Sequence, residues 1–83
     1  GGTIVCESRQ TSVQEHDVVV YYDSQNDRYV HSVLMKRIGN ELFAVSKFGE
    51  GPILITTNQL VERFFAGQFN ELRCYRPIDQ QKV

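Results

Sequence analysis

Two histidines and two cysteines are the residues of this chain whose side chains could do chemistry. His31 is the one to which a catalytic role can be assigned. The alternative is that His31 is a half-buried strand residue with satisfied hydrogen bonds. His16 lies in a polar segment and is expected to be solvated. Two histidines separated by a loop are a poor donor set for a metal, so the sequence predicts no metal site and no cofactor.

The cysteines, Cys6 and Cys74, are too few for a disulfide framework and too far apart for a zinc knuckle. Each lies among apolar, strand-forming residues. We predict a pair of buried small hydrophobic residues, because free cysteine is among the most buried residue types. The alternative is a disulfide that joins the first and last strands.

The histidine lies in a stretch, Asp17 to Phe48, that predicts three strands joined by two short turns. The first, Asp17 to Tyr22, is apolar on both faces, which is typical of a central strand covered on both sides. A polar turn, Asp23 to Asp27, leads into the longest strand, Arg28 to Ile38. Alternation places one set of its side chains on a single face: Tyr29, His31, Val33 and Met35. Gly39-Asn40 then predicts a two-residue hairpin into Glu41 to Ser46.

Shorter elements flank this stretch. Thr3 to Glu7 predicts an edge strand, and Pro52 to Thr56 predicts another strand. After a cap at Thr57 or Asn58, the period changes to that of a helix that Gly67 ends. Its predicted apolar face consists of Leu60, Val61, Phe64 and Phe65. Phe69 to Tyr75 predicts the last strand, after which Pro77 and a polar tail leave the fold.

These elements predict one domain over 1–83, with a core at 3–76 and a polar tail at 77–83. The fold class is α+β and mainly β: a small bent antiparallel sheet or partial barrel of five to six strands with one C-terminal helix. An open α+β sandwich with the helix on one face is the alternative. Nine basic and ten acidic residues, with no basic block, do not predict a nucleic-acid partner. No apolar run is long enough to span a membrane, and we expect a cytoplasmic protein.

The segment Asp17 to Asp23, then Val30-His31-Ser32, Gly39-Asn40 and Val45 to Gly51 resemble the C-terminal β-half of papain-like cysteine hydrolases of the NlpC and CHAP amidase type. The resemblance covers about Asp17 to Tyr75. It implies that His31 matches the general base of that family. Ser46 or Lys47 lies where the residue that orients the histidine is expected.

The cysteine-bearing helix of that family has no counterpart in 1–16, where Cys6 lies in a β-branched context. We therefore expect a non-catalytic binding module that recognises a protein or peptide and forms a dimer. Its tyrosines, with Tyr22, Tyr29 and His31 as the candidate binding residues, could line a shallow groove for a peptide or an oligonucleotide. The alternative is a cysteine peptidase or amidase in which His31 is the base and the nucleophile is Cys6 or a cysteine supplied by another chain.

Overall fold

Six strands and one helix make up the computed structural model, which describes the backbone of residues 2–6 and 13–77 and the side chains of residues 13–76. The strands form one antiparallel sheet with the order β1-β6-β2-β3-β4-β5. Their bounds are β1 Gly2–Cys6, β2 Val18–Asp23, β3 Arg28–Ile38, β4 Glu41–Lys47, β5 Ile53–Thr56 and β6 Glu71–Pro77, and the helix α1 is Asn58–Phe64.

The predicted class, α+β and mainly β, is confirmed. The sheet is open, because β1 and β5 lie at its two edges and pair with β6 and β4 respectively. The prediction of a small antiparallel sheet of five to six strands with one helix is confirmed, and a closed barrel is wrong. Within the described residues, no helix has the length and apolar character that a membrane span requires.

The three central strands form where the sequence predicts them. In the β2–β3 turn, the Asp23 carboxylate accepts hydrogen bonds from the backbone N–H of Gln25 and the side-chain amide of Asn26. The β3–β4 hairpin pairs Ile38 with Glu41, and Gly39 between them has a φ of 66°. That left-handed conformation is one that glycine adopts without strain, which explains why Gly-Asn makes a tight turn here.

A β-bulge interrupts the pairing of β2 with β3. Tyr21 lies opposite His31, but the next residue, Tyr22, lies opposite Tyr29, so Val30 is the extra residue on β3. Because opposed residues share a face, the bulge puts Tyr29 on the other face from His31. The prediction that Tyr29 shares a face with His31, Val33 and Met35 is therefore wrong for Tyr29 alone.

One face of the sheet is covered by α1 and the turn that follows it. The buried residues of this core come from β2, β3, β4, β6 and α1: Val19, Tyr21, Val33, Met35, Ala44, Val61, Leu72 and Cys74. Thr57 caps α1 by accepting a hydrogen bond from the backbone N–H of Leu60 at 3.1 Å. The predicted apolar face of the helix is partly wrong, since Leu60 and Phe64 are exposed and only Val61 is fully buried.

The other face of the sheet is not covered by any of the described elements. Alternate residues of β2 are only half-buried, although the apolar run predicted cover on both sides. Tyr29, Leu34 and Ile55 are exposed on this second face. We call it the uncovered face.

The last strand, β6, pairs with the first strand, β1. Thr3 lies opposite Arg76 and Gly2 opposite Pro77, so Pro77 ends β6 instead of leaving the fold. As predicted, β1 is an edge strand; Glu7, which the prediction also included in it, lies outside the described residues. Proline is tolerated at a strand's end, where its missing N–H costs one ladder bond at most.

Candidate functional site

The His31 ring lies on the covered face, packed between aromatic side chains. Only 7 % of the residue is exposed. Its ring centroid lies 4.6 Å from that of Phe65, with the planes 27° apart, and 5.0 Å from that of Phe48. The Nε2 atom is buried and has no hydrogen-bond partner among the described residues. A ring enclosed in this way cannot reach a substrate without movement of the Phe48 and Phe65 side chains.

Burial also sets the protonation state of this ring. Loss of solvent lowers the pKa of His31 below its ordinary value of 6.5, because the imidazolium form is poorly solvated among aromatic rings. The ring is therefore neutral at pH 7. Neutral imidazole is the form that a general base needs, but it is also the form that packs at least cost in an apolar core.

The two candidates for an orienting residue lie on opposite faces of β4. Ser46 is buried on the covered face, and its Oγ has no hydrogen-bond partner among the described residues. Lys47 is exposed and lies opposite Ile53 on the uncovered face. Since both Ser46 Oγ and His31 Nε2 lack partners, neither bonds to the other. The structure therefore does not bring a general base and its orienting group together through these atoms.

The cysteines do not provide a free thiol. Cys74 is disulfide-bonded and 2 % exposed. The chain has one other cysteine, Cys6, and the backbone register places it opposite Cys74 in the β1–β6 pair. The prediction of unlinked cysteines is wrong for Cys74, and the backbone register agrees with the alternative of a disulfide between the first and last strands. A thiolate is the nucleophile in cysteine hydrolysis, and a disulfide removes it.

The candidate binding tyrosines are brought together, but away from His31. Tyr22 and Tyr29 face each other across β2 and β3 on the uncovered face. The Arg73 guanidinium lies 4.1 Å from the centroid of the Tyr22 ring, and the Tyr22 hydroxyl bonds the Asp27 carboxylate. Tyr29 is 58 % exposed. The two tyrosines can therefore share one surface, while His31 belongs to the opposite side of the sheet.

A continuous apolar row crosses the uncovered face next to these tyrosines. Successive register pairs join residues of five neighbouring strands: Tyr75, Val18, Leu34, Val45 and Ile55. Leu34 is 40 % exposed and Ile55 is 58 % exposed. The open face of an antiparallel sheet is normally polar. The sequence indicates this row, because the residues of β2 are apolar at successive positions and so place apolar side chains on both faces of the sheet.

Cations flank the apolar row. Arg73 lies opposite Val20, Lys36 opposite Phe43 and Lys47 opposite Ile53, each on the uncovered face. Arg73 is paired with Glu71 at 3.1 Å, and Lys36 lies 3.8 Å from Glu15. This face therefore presents apolar side chains with basic side chains beside them.

Sequence reasoning missed a buried ion pair at the start of β2. Asp17 is fully buried and accepts hydrogen bonds from Arg76 Nε at 2.7 Å and Nη2 at 2.8 Å, and from the backbone N–H of Gln14 at 2.9 Å. The Arg76 bond is the main reason that the pKa of Asp17 lies below 3.8. The pair fixes β6 against β2. An aspartate directly before an apolar strand was the available signal, but its partner is 59 residues away.

No cluster of three or more metal-binding side chains exists among the residues that the structure describes.

A comparison of the chain with protein-family models, with curated proteins and with solved structures finds no match. The resemblance to papain-like hydrolases therefore stays a prediction from its sequence motif.

Proposed function

We propose that this chain is a non-catalytic interaction module that binds a partner polypeptide through the uncovered face of its sheet. The observation that carries the proposal is the apolar row from Tyr75 to Ile55. Its exposed members, Leu34 and Ile55, leave apolar area in contact with water in the isolated chain, and a partner that covers the row recovers the hydrophobic free energy.

The charges beside the row indicate the chemistry of the partner. Lys36, Lys47 and Arg73 border the apolar residues on both sides. Arg73 and Lys36 already pair with Glu71 and Glu15, so a polypeptide with apolar side chains and a carboxylate that meets Lys47 complements this face. Such rim charges mainly set orientation and association rate, while the apolar row supplies most of the affinity. Tyr22 and Tyr29 extend the same surface.

The enzymatic alternative has less support. Cysteine hydrolysis needs a free thiol, and Cys74 is in a disulfide. The His31 ring is enclosed by Phe48 and Phe65. A hydrolase reaction at His31 then requires a thiol from another chain and an opening of the aromatic cover. An unlinked thiol in the folded chain would restore this alternative.

The disulfide also bears on where the protein works. Disulfides persist mainly in oxidising compartments, so we propose an extracytoplasmic environment in place of the cytoplasmic one that the sequence predicts. The proposed partner is a protein or peptide. No cofactor is part of the proposed function.

Selection from a random peptide display library, with the oxidised protein as bait, tests the proposal even though the partner is unidentified. We expect the selected peptides to combine apolar residues with Asp or Glu. Their affinity should fall by about 30-fold for Leu34→Glu, the loss typical of a central contact residue. Ile38→Glu is the matched control, since Ile38 lies on the same strand with 49 % exposure but outside the row.

Circular dichroism and a thermal melt establish that both variants fold. The proposal is wrong if the selected peptides bind Leu34→Glu as tightly as the parent, because their site is then elsewhere. It is also wrong if Ile38→Glu weakens binding as much as Leu34→Glu, since the effect then depends on added charge alone.

A further inference from the structure

The β5 edge of the sheet is apolar on both of its sides. Five of the eight large hydrophobic residues that are exposed among the described residues lie on β5 and α1: Ile53 at 68 %, Leu54 at 41 %, Ile55 at 58 %, Leu60 at 49 % and Phe64 at 62 %. Ile53 and Ile55 alternate with Leu54, so they lie on the uncovered face and Leu54 on the covered face. We call these five residues the β5 edge strip.

The helix α1, which lies on the covered face, contributes two residues to this strip. Leu60 and Phe64 are four residues apart and share one flank of α1. The opposite flank, with Asn58 and Glu62, lines a cavity of about 320 Å³ over β2 and β6. The flank with Leu60 and Phe64 therefore points away from β6, and Phe64 packs on Phe48, the residue that follows β4, which pairs with β5.

Sheet edges are normally protected by short edge strands, charged residues, prolines or bulges. β5 is short, at four residues, and Pro52 precedes it, but the strand itself lacks the other protections. Ile53–Thr56 contains no charge and no proline, and its register with β4 is regular. The outer side of β5 pairs with no other described strand.

We propose that two copies of this chain pair antiparallel through their β5 strands, which forms a symmetric dimer with a continuous sheet. A strand that is apolar on both faces needs a partner that is apolar on both faces, and β5 of a second copy meets that requirement. This proposal rests on the β5 edge strip, which shares Ile55 with the apolar row of the proposed function.

The exposed area sets an upper limit on the dimer interface, because side chains on the open face of a continuous sheet stay partly in water. A large apolar side chain presents roughly 150–200 Å² when fully exposed, so the five exposed fractions amount to about 450 Å² per copy and about 900 Å² in the pair. The two strand backbones and the neighbouring polar side chains add to this. At this upper limit, the total reaches the interface area of about 1,000–1,200 Å² that a specific complex needs.

The geometry restricts the register, since Leu54 opposite Leu54 and Ile55 opposite Ile55 both keep opposed residues on one face; the second continues the apolar row. In an antiparallel pair, opposed residues lie on the same face of the sheet. A two-fold axis perpendicular to the sheet, with Ile55 opposite Ile55 of the second copy, places Leu54 opposite Thr56. The row Leu34, Val45, Ile55 then continues into the same row of the second copy. The two α1 helices lie on the same side, with their Leu60 and Phe64 flanks across the seam.

Sedimentation equilibrium of the oxidised protein tests the pairing. We expect the parent to form dimers at micromolar concentration and Ile53→Lys to weaken the dimer by about 100-fold, because an edge lysine blocks strand pairing. Leu60→Lys, on the helix flank, should also weaken it. Ile38→Lys is the matched control and should dimerise like the parent, since Ile38 lies outside the β5 edge strip.

A parent that stays monomeric at high micromolar concentration overturns the proposal. So does an Ile53→Lys variant that dimerises like the parent, or assembly that continues beyond the dimer, since symmetric pairing of β5 closes at two copies. Ile53→Lys should still bind the selected peptides that depend on Leu34. A monomer that binds these peptides therefore refutes the dimer and leaves the interaction module intact.

Discussion

Replacing Arg76 by Met should destabilise this fold more than replacing Asp17 by Asn, although each change breaks the same ion pair. The Asp17 carboxylate is fully buried, so Arg76→Met leaves a buried charge whose one remaining partner among the described residues is the Gln14 N–H. Removing one partner of a fully buried pair costs about 3–5 kcal/mol, which is the upper limit here because Arg76 is partly exposed. The Arg76 side chain is 35 % exposed, so after Asp17→Asn water can solvate the guanidinium. Loss of the charge-assisted bonds then costs about 1.5–3 kcal/mol.

Urea unfolding of the parent, both single variants and the double variant measures these costs at pH 7. A chain of this length has a free energy of unfolding of about 4–12 kcal/mol, so Arg76→Met should approach the unfolding threshold. The double variant should be more stable than Arg76→Met alone, because the buried charge is gone. The reasoning is refuted if Asp17→Asn costs more than Arg76→Met, or if the double variant is the least stable of the four.

The pH dependence gives a second readout of the same pair. Arg76 lowers the pKa of Asp17 in the folded chain, so the stabilisation is complete above the unfolded value of 3.8 and is lost as the pH falls through the folded pKa. Arg76→Met lacks that lowered pKa. The difference in unfolding free energy between parent and Arg76→Met should therefore narrow below pH 3.8.

Three other perturbations test the packing of the fold. His31→Ala should cost about 1–3 kcal/mol in a denaturant melt, because it leaves a cavity in the aromatic cluster. In the parent, burial lowers the pKa of His31, so the contribution of His31 to the free energy of unfolding should be full above pH 6.5 and decline as the pH falls. The variant should lack this pH dependence. Reduction of the Cys6–Cys74 link, which closes a loop of about 68 residues, should cost about 4 kcal/mol by the chain-entropy model, and urea melts with and without reductant measure it. Gly39 has a φ of 66° and no atom near its missing Cβ, so Gly39→Ala should cost about 1 kcal/mol in a thermal melt and Gly39→Asn less.

Local patterns predicted most of the sheet. The hairpin at Gly39-Asn40 follows from turn chemistry, and the alternation in β3 placed His31, Val33 and Met35 on the buried face. Alternation failed at Tyr29, because the bulge at Val30 depends on how β2 and β3 register against each other. That register is a property of two strands and is not visible in either one alone.

Contacts between distant parts of the chain were not predictable in the same way. The Asp17–Arg76 pair and the Cys6–Cys74 register both depend on where β6 inserts in the strand order. The helical period of a sequence predicts which residues lie on the same face of a helix. It does not predict how much of that face packs against the sheet. Phe64 consequently follows the predicted period and is nonetheless exposed.

We propose that this chain binds a polypeptide and does not hydrolyse one, because Cys74 is disulfide-bonded and His31 is enclosed. Intact mass measurement of the folded protein after iodoacetamide treatment without reductant tests it most directly. We expect no alkylated species, with both cysteines labelled only after reduction and unfolding. An adduct on Cys6 or Cys74 in the folded protein, formed more slowly in His31→Ala, would show an activated thiol and contradict the claim.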